Sequence, residues 1–160
     1  MLDHLTLFLN AYQDTPKFSF IWNAELAHDD SQVLYKADLA IYNFLVKNKN
    51  SLSNSFLFFF GDHGPRYGKE ASTWLGAKER NNPFLYITVP YSVRKTALYQ
   101  QLRRNSEELV THHDLYATLL DILRVSDYTF LYLVVDKLPN ACFSSLFSEE
   151  QRTLGMLHVF

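Results

Sequence analysis

The sequence predicts an α/β protein built around a mostly parallel sheet, and three observations point that way. Phe56-Leu57-Phe58-Phe59-Phe60 is an apolar run without a polar interruption, the pattern of a strand covered on both faces. An earlier aromatic run, Phe18 to Trp22, is separated from it by a stretch of helical spacing. Strand, helix and strand in that order make a βαβ unit, whose crossover is right-handed in nearly all proteins. The third observation is Gly61-Asp62-His63-Gly64, an acid and an imidazole between two glycines directly after the run. Open α/β sheets bind ligands outside the carboxyl ends of their strands.

Taken in order, the chain opens with Asp3 as a candidate cap for a helix carrying Leu5, Phe8, Leu9 and Tyr12 on one face. Asp14-Thr15-Pro16 stops it, because the residue before proline avoids the helical region. Phe18-Ser19-Phe20-Ile21-Trp22 reads as a first strand. Asn23 to Asp30 is a polar turn rich in possible ligands. Leu34, Ala37, Ile41, Phe44 and Leu45 then keep helical spacing between Ser31 and Lys47, with Asp29, Asp30 or Ser31 as cap.

Lys47 to Ser53 reads as an exposed polar connection, and Gly61 to Asn82 as a long loop holding Arg66, Lys69, Lys78, Glu79 and Arg80. Loops of that length in a compact domain are usually functional or mobile. Pro83 to Val89 is a third strand ended by Pro90, and Arg94 to Glu108 a helix with a basic start. Thr111-His112-His113-Asp114 leads a last helix whose inner face is Leu115, Leu119, Ile122 and Leu123. Thr111 and Asp114 cap it, and His112 and His113 read as part of that capping turn rather than as ligands. Residues 1–125 form the domain. Residues 126–160 form a weakly patterned tail, with Tyr128 to Val135 as a candidate strand.

Composition narrows the function classes. The 160 residues carry a net charge of -2, which gives no reason to expect nucleic acid or an anionic membrane as partner. Cys142 is the single cysteine, so neither an internal disulfide nor a cysteine zinc cluster forms, and the thiol reads as buried and inert. No membrane span is present. The opening MLDHLTLFLNAYQD has no basic leader and carries Asp3 and His4 ahead of its apolar part, which makes it a poor secretory signal.

Asp62 and His63 are the central candidates for chemistry. A carboxylate beside a neutral imidazole suits zinc, or manganese and calcium when more oxygens join. Neighbours on a regular strand point to opposite faces, and a glycine-flanked turn lifts that constraint. His28, in the polar turn before the long helix, is the candidate third ligand, since zinc takes at least three from the protein. The bland alternatives are that Asp62 caps a turn with His63 bonded beside it, and that His28 decorates a polar loop. Arg66 and Lys69 are placed to meet an anionic substrate, or simply face water.

These motifs also occur in a familiar order. A strand ending in GDHG, a basic loop, Glu79-Arg80-Asn81-Asn82-Pro83 entering an apolar strand, and the T-x-x-D-L-x-x-T-L-L-D helix at Thr111–Asp121 resemble the sulfatase branch of the alkaline phosphatase superfamily. Phe18 to Trp22, Glu25 to Asp30 and Asp62-His63-Gly64-Pro65-Arg66-Tyr67-Gly68 are more closely similar to an animal family of sulfatase-like proteins without an established function. The resemblance spans roughly residues 7–124, with a faint continuation at Ser145-Leu146-Phe147 and Arg152-Thr153.

It implies a three-layer sandwich with a mostly parallel sheet, an alkaline phosphatase-like core that is incomplete here. It also implies a divalent-metal-dependent hydrolase of phosphate or sulfate esters, in the secretory pathway or outside the cell. Asp62 and His63 match the family's Asp-His ligand pair, and His28 matches a histidine after the preceding strand. The nucleophile and the remaining carboxylates of such sites lie upstream of the matched region. This chain is therefore expected to be inactive alone, and to associate through an exposed sheet edge. The alternative from another class is a catalytically inactive binding or scaffold module. A doubly wound protein holding another small ligand is less well supported, because neither common glycine-rich phosphate loop is present.

Overall fold

A computed structural model describes residues 1–124 except 13, 27, 29 and 30. The first helix, α1 (Leu2–Ala11), begins at Met1 without a side-chain cap, and Asp3 lies in its first turn. Residues 31–34 form one turn of 3-10 helix that leads into α2 (Tyr35–Lys47). The expected polar connection after α2 is instead a second short helix, α3 (Lys49–Leu52). Asn48, between the two, is 2% exposed. Its side-chain amide donates to Thr6 Oγ1 at 3.0 Å and to Phe44 O at 2.9 Å. Thr6 is itself buried and donates to Leu2 O, so a satisfied polar contact joins α1 to the α2–α3 corner.

The sheet departs from the expectation. Among the described residues it consists of two strands, β1 (Leu57–Phe60) and, after two intervening helices, β2 (Leu85–Thr88). They run antiparallel with Leu57 opposite Thr88 and Phe60 opposite Leu85. The described residues are thus mostly helical, and the α/β three-layer sandwich with a mostly parallel sheet is not formed. Two physical reasons account for the difference. Phe18 to Trp22 has no regular secondary structure and lies outside the sheet, with Phe18, Phe20, Ile21 and Trp22 exposed, so no βαβ unit exists among the described residues. The apolar run of β1 is also divided between two unlike faces. Phe58 and Phe60 share the inner face with buried Leu85 and half-buried Ile87. Phe59 shares the outer face with Tyr86, and remains 45% exposed.

The expected long loop between the strands contains α4 (Gly68–Ala71) and α5 (Trp74–Arg80). Thr73 caps α5 by accepting from the Gly76 amide at 3.0 Å. A Cβ at Gly76 would overlap the carbonyl oxygen of Glu70 and lie 2.9 Å from Ala71 Cα, so glycine permits the close crossing of the two helices. Past β2, the expected single helix from Arg94 to Glu108 is two pieces. A 3-10 helix spans Tyr91–Lys95, and α6 spans Ala97–Asn105. Thr96 between them is extended at φ -99° and ψ 163°.

The last described helix is α7 (His112–Arg124). The capping turn expected there forms: Asp114 Oδ2 accepts from the Thr111 amide at 2.8 Å and from its hydroxyl at 2.6 Å. The core gathers Val89, Val93 and Leu102, with Phe56, Ile87, Leu98, Tyr99, Val110 and Ile122 packed against them. It lies beneath the inner face of the sheet and ties α6 and α7 to it. The candidate strand 128–135 and Cys142 lie outside the described residues.

Candidate metal-ligand pair at the end of strand β1

The GDHG turn is held by backbone contacts at both ends. The Gly61 amide donates to Phe84 O at 3.1 Å, extending the β1–β2 ladder by one step. The Gly64 amide donates to Arg80 O at 3.1 Å, tying the turn to the last residue of α5. The approach there is close. A Cβ at Gly64 would overlap the carbonyl of Glu79 and stand 2.8 Å from Arg80 Cα. Gly64 is therefore a packing requirement, whereas a Cβ at Gly61 would meet Pro83 Cβ at 3.3 Å and little else.

Between these anchors the two reactive side chains converge. His63 Nε2 lies 3.3 Å from Asp62 Oδ2, and the His63 amide donates to Asp62 Oδ1 at 3.0 Å. His63 Nδ1 lies 2.7 Å from Gly64 O. A carbonyl oxygen only accepts, so this contact places a proton on Nδ1. In the neutral ring the lone pair is then on Nε2, facing a carboxylate oxygen. Two lone pairs so placed call for something positive between them, either a second ring proton or a metal ion.

A carboxylate oxygen and a ring nitrogen are atoms that could hold a cation. Metal-bound histidines commonly donate their other ring N–H to a backbone carbonyl, which is the role Nδ1 plays here. The side chains are 35% exposed for His63 and 47% for Asp62, so solvent reaches the pair.

The other sequence candidates are less closely gathered. His28 is exposed in its polar turn. Among the described residues no group of three or more His, Cys, Asp or Glu side chains is assembled for a metal ion, so His28 does not complete a trio with Asp62 and His63 there. Arg66 and Lys69 follow the turn, Lys69 within α4, and both are exposed. His112 reaches the turn instead: its Nε2 lies 3.1 Å from Gly61 O, and its ring is 6.4 Å from that of Phe60. The sequence signal for it is the histidine pair beside the Thr111 cap.

A family model described as a protein of unknown function, DUF229, matches residues 1–148. The chain belongs to this family. The match agrees with the sequence resemblance at the coarser level of a sulfatase-like family. The DUF229 match includes all the described residues and both anchors of the turn. No curated protein and no solved structure matches the chain.

Proposed function

We propose that this chain is part of a metal-dependent hydrolase of phosphate or sulfate esters, in which Asp62 and His63 hold a divalent cation. The observation that carries the reading is the 3.3 Å approach of Asp62 Oδ2 to His63 Nε2, with Nδ1 engaged by Gly64 O. Membership of DUF229 supports it at the coarser level of a sulfatase-like domain. Transfer of a phosphoryl or sulfuryl group gathers negative charge on oxygen, and a bound cation supplies the compensating charge. Zinc, manganese and calcium are the candidates.

The roles of this chain's own residues follow. Asp62 supplies a carboxylate oxygen, and His63 supplies Nε2 with the ring fixed by Gly64 O. His28 is the candidate third ligand. Arg66 and Lys69, solvent-facing beyond the turn, would draw in a small anionic ester. Neither Asp62 nor His63 is a nucleophile for this chemistry. In our reading the nucleophile comes from polypeptide outside these residues, and the isolated chain binds metal without turnover. We infer, on the resemblance, that the whole protein works in the secretory pathway or outside the cell. Both outer edges of the β1–β2 ladder lack a strand partner among the described residues, a feature that would support association through an edge. Among those residues no helix is long and apolar enough to cross a membrane.

Metal content and affinity of the 160-residue chain test the proposal, with zinc, manganese and calcium titrated separately. Wild type is expected to bind one equivalent. Asp62→Ala and His63→Ala should each bind at least about 100-fold more weakly, beyond the typical effect of losing a supporting hydrogen bond to a ligand. Equal binding by all three proteins would sink the reading. It would favour an inactive binding or scaffold module, in which Asp62 only accepts from the His63 amide and closes the turn.

A further inference from the structure

We infer that His112 is a positioning residue for the Asp62–His63 pair, acting through the carbonyl of Gly61 across a separation of 51 residues. The inference rests on the metal-ligand reading for its functional meaning, while its structural content stands apart from it. Gly61 is the residue at which β1 gives way to the turn. Its amide is fixed by Phe84 O at 3.1 Å, and its carbonyl by His112 Nε2 at 3.1 Å. Because that carbonyl only accepts, the contact uses the Nε2–H form of His112. With both its backbone polar groups engaged, Gly61 sets the direction in which the peptide leaves toward Asp62.

His112 is well held for this purpose. It is the first residue of α7, and Thr111 before it is locked by Asp114 at 2.8 Å and 2.6 Å. Leu115, Ala117 and Thr118 bury the following turns of the helix, and Phe60 packs near the imidazole at 6.4 Å between ring centres. The hydrogen bond thus connects a capped and buried helix start to an exposed turn whose own anchors are backbone contacts. Without it, the Gly61 peptide is free to rotate. The angle between Asp62 Oδ2 and His63 Nε2 would then no longer be set before a cation arrives.

Wild type, His112→Ala and His112→Gln, all as the full chain, provide the test. The Gln amide places a donor near the position of Nε2, and thermal midpoints establish that each variant is folded. Two readouts are taken: amide hydrogen exchange at His63 and Gly64 without metal, and zinc affinity. We expect His112→Ala to speed exchange at both amides and to weaken zinc binding by about 10- to 100-fold. His112→Gln should restore both to within about threefold. Exchange in His112→Ala equal to wild type overturns the inference, as does a Gln variant no better than Ala at an unchanged midpoint. If wild type binds no zinc, the metal-ligand reading fails by itself, and the exchange arm still decides whether His112 holds the turn.

Discussion

His63 has two ring nitrogens with two different partners, and that difference gives the site its chemical direction. Gly64 O fixes the proton on Nδ1 and leaves Nε2 toward Asp62 Oδ2. The two glycines of the turn are likewise not equivalent. Gly64→Ala forces a methyl group into the Glu79–Arg80 backbone, and should cost about 1–3 kcal/mol in denaturant unfolding, the range for overpacking. Gly61→Ala meets Pro83 Cβ at 3.3 Å, and the His63 carbonyl oxygen and the Phe84 ring at an ordinary 3.7 Å, and should cost less than about 1 kcal/mol by the same measurement. A reversal of that order would show that the turn is not pressed on α5 as described. The Asp62–His63 pairing was readable in the sequence because its members are adjacent. The His112 contact was not, since a single bond to a distant backbone carbonyl leaves no periodicity.

At the level of elements, short helices and polar corners separate the sequence reading from the fold. Lys47 to Ser53 reads as an exposed connection because it is polar, yet Asn48 is buried with both its amide contacts made inside. Asn48→Ala leaves Phe44 O and Thr6 Oγ1 without those donors. It should lower stability by about 1–3 kcal/mol, measured by urea unfolding of the full chain. The cap of α5 is a smaller effect: Thr73→Ala should cost about 0.5–2 kcal/mol, with Thr73→Ser retaining most of it. The helices of 61–82 escaped a sequence reading because α4 is four residues long and Gly76 interrupts the helical propensity of α5. By contrast, most of α7 was legible: its Thr111–Asp114 cap and inner residues Leu115 and Ile122 sit where the pattern placed them, whereas Leu123, expected on the inner face, is 53% exposed.

Across the molecule, apolar surface is unevenly covered. Helix α2 turns Ala37, Ile41 and Phe44 inward, while Tyr35, Leu39, Tyr42 and Val46 form an opposite stripe 58% to 71% exposed. A strand run apolar on two faces reads as the middle layer of a sandwich. That pattern in β1 underlies the α/β expectation, whereas among the described residues only its inner face is covered and Phe59 stays exposed. The exposed stripe has a direct consequence. The native chain should bind an apolar fluorescent dye, and Leu39→Lys with Tyr42→Lys should reduce the signal roughly twofold at unchanged helix content. An undiminished signal would locate the dye elsewhere.

The central claim is that Asp62 and His63 present a carboxylate oxygen and an imidazole lone pair to one cation. Long-range proton–nitrogen correlation spectra of the histidine side chains, recorded on the full chain with and without zinc, address it most directly. Zinc is expected to leave the proton on Nδ1 of His63 and to move the Nε2 resonance alone to a metal-bound position, a change that should be lost in Asp62→Ala. A His63 that keeps a proton on Nε2 at saturating zinc, or whose nitrogens do not respond to it, would contradict this arrangement.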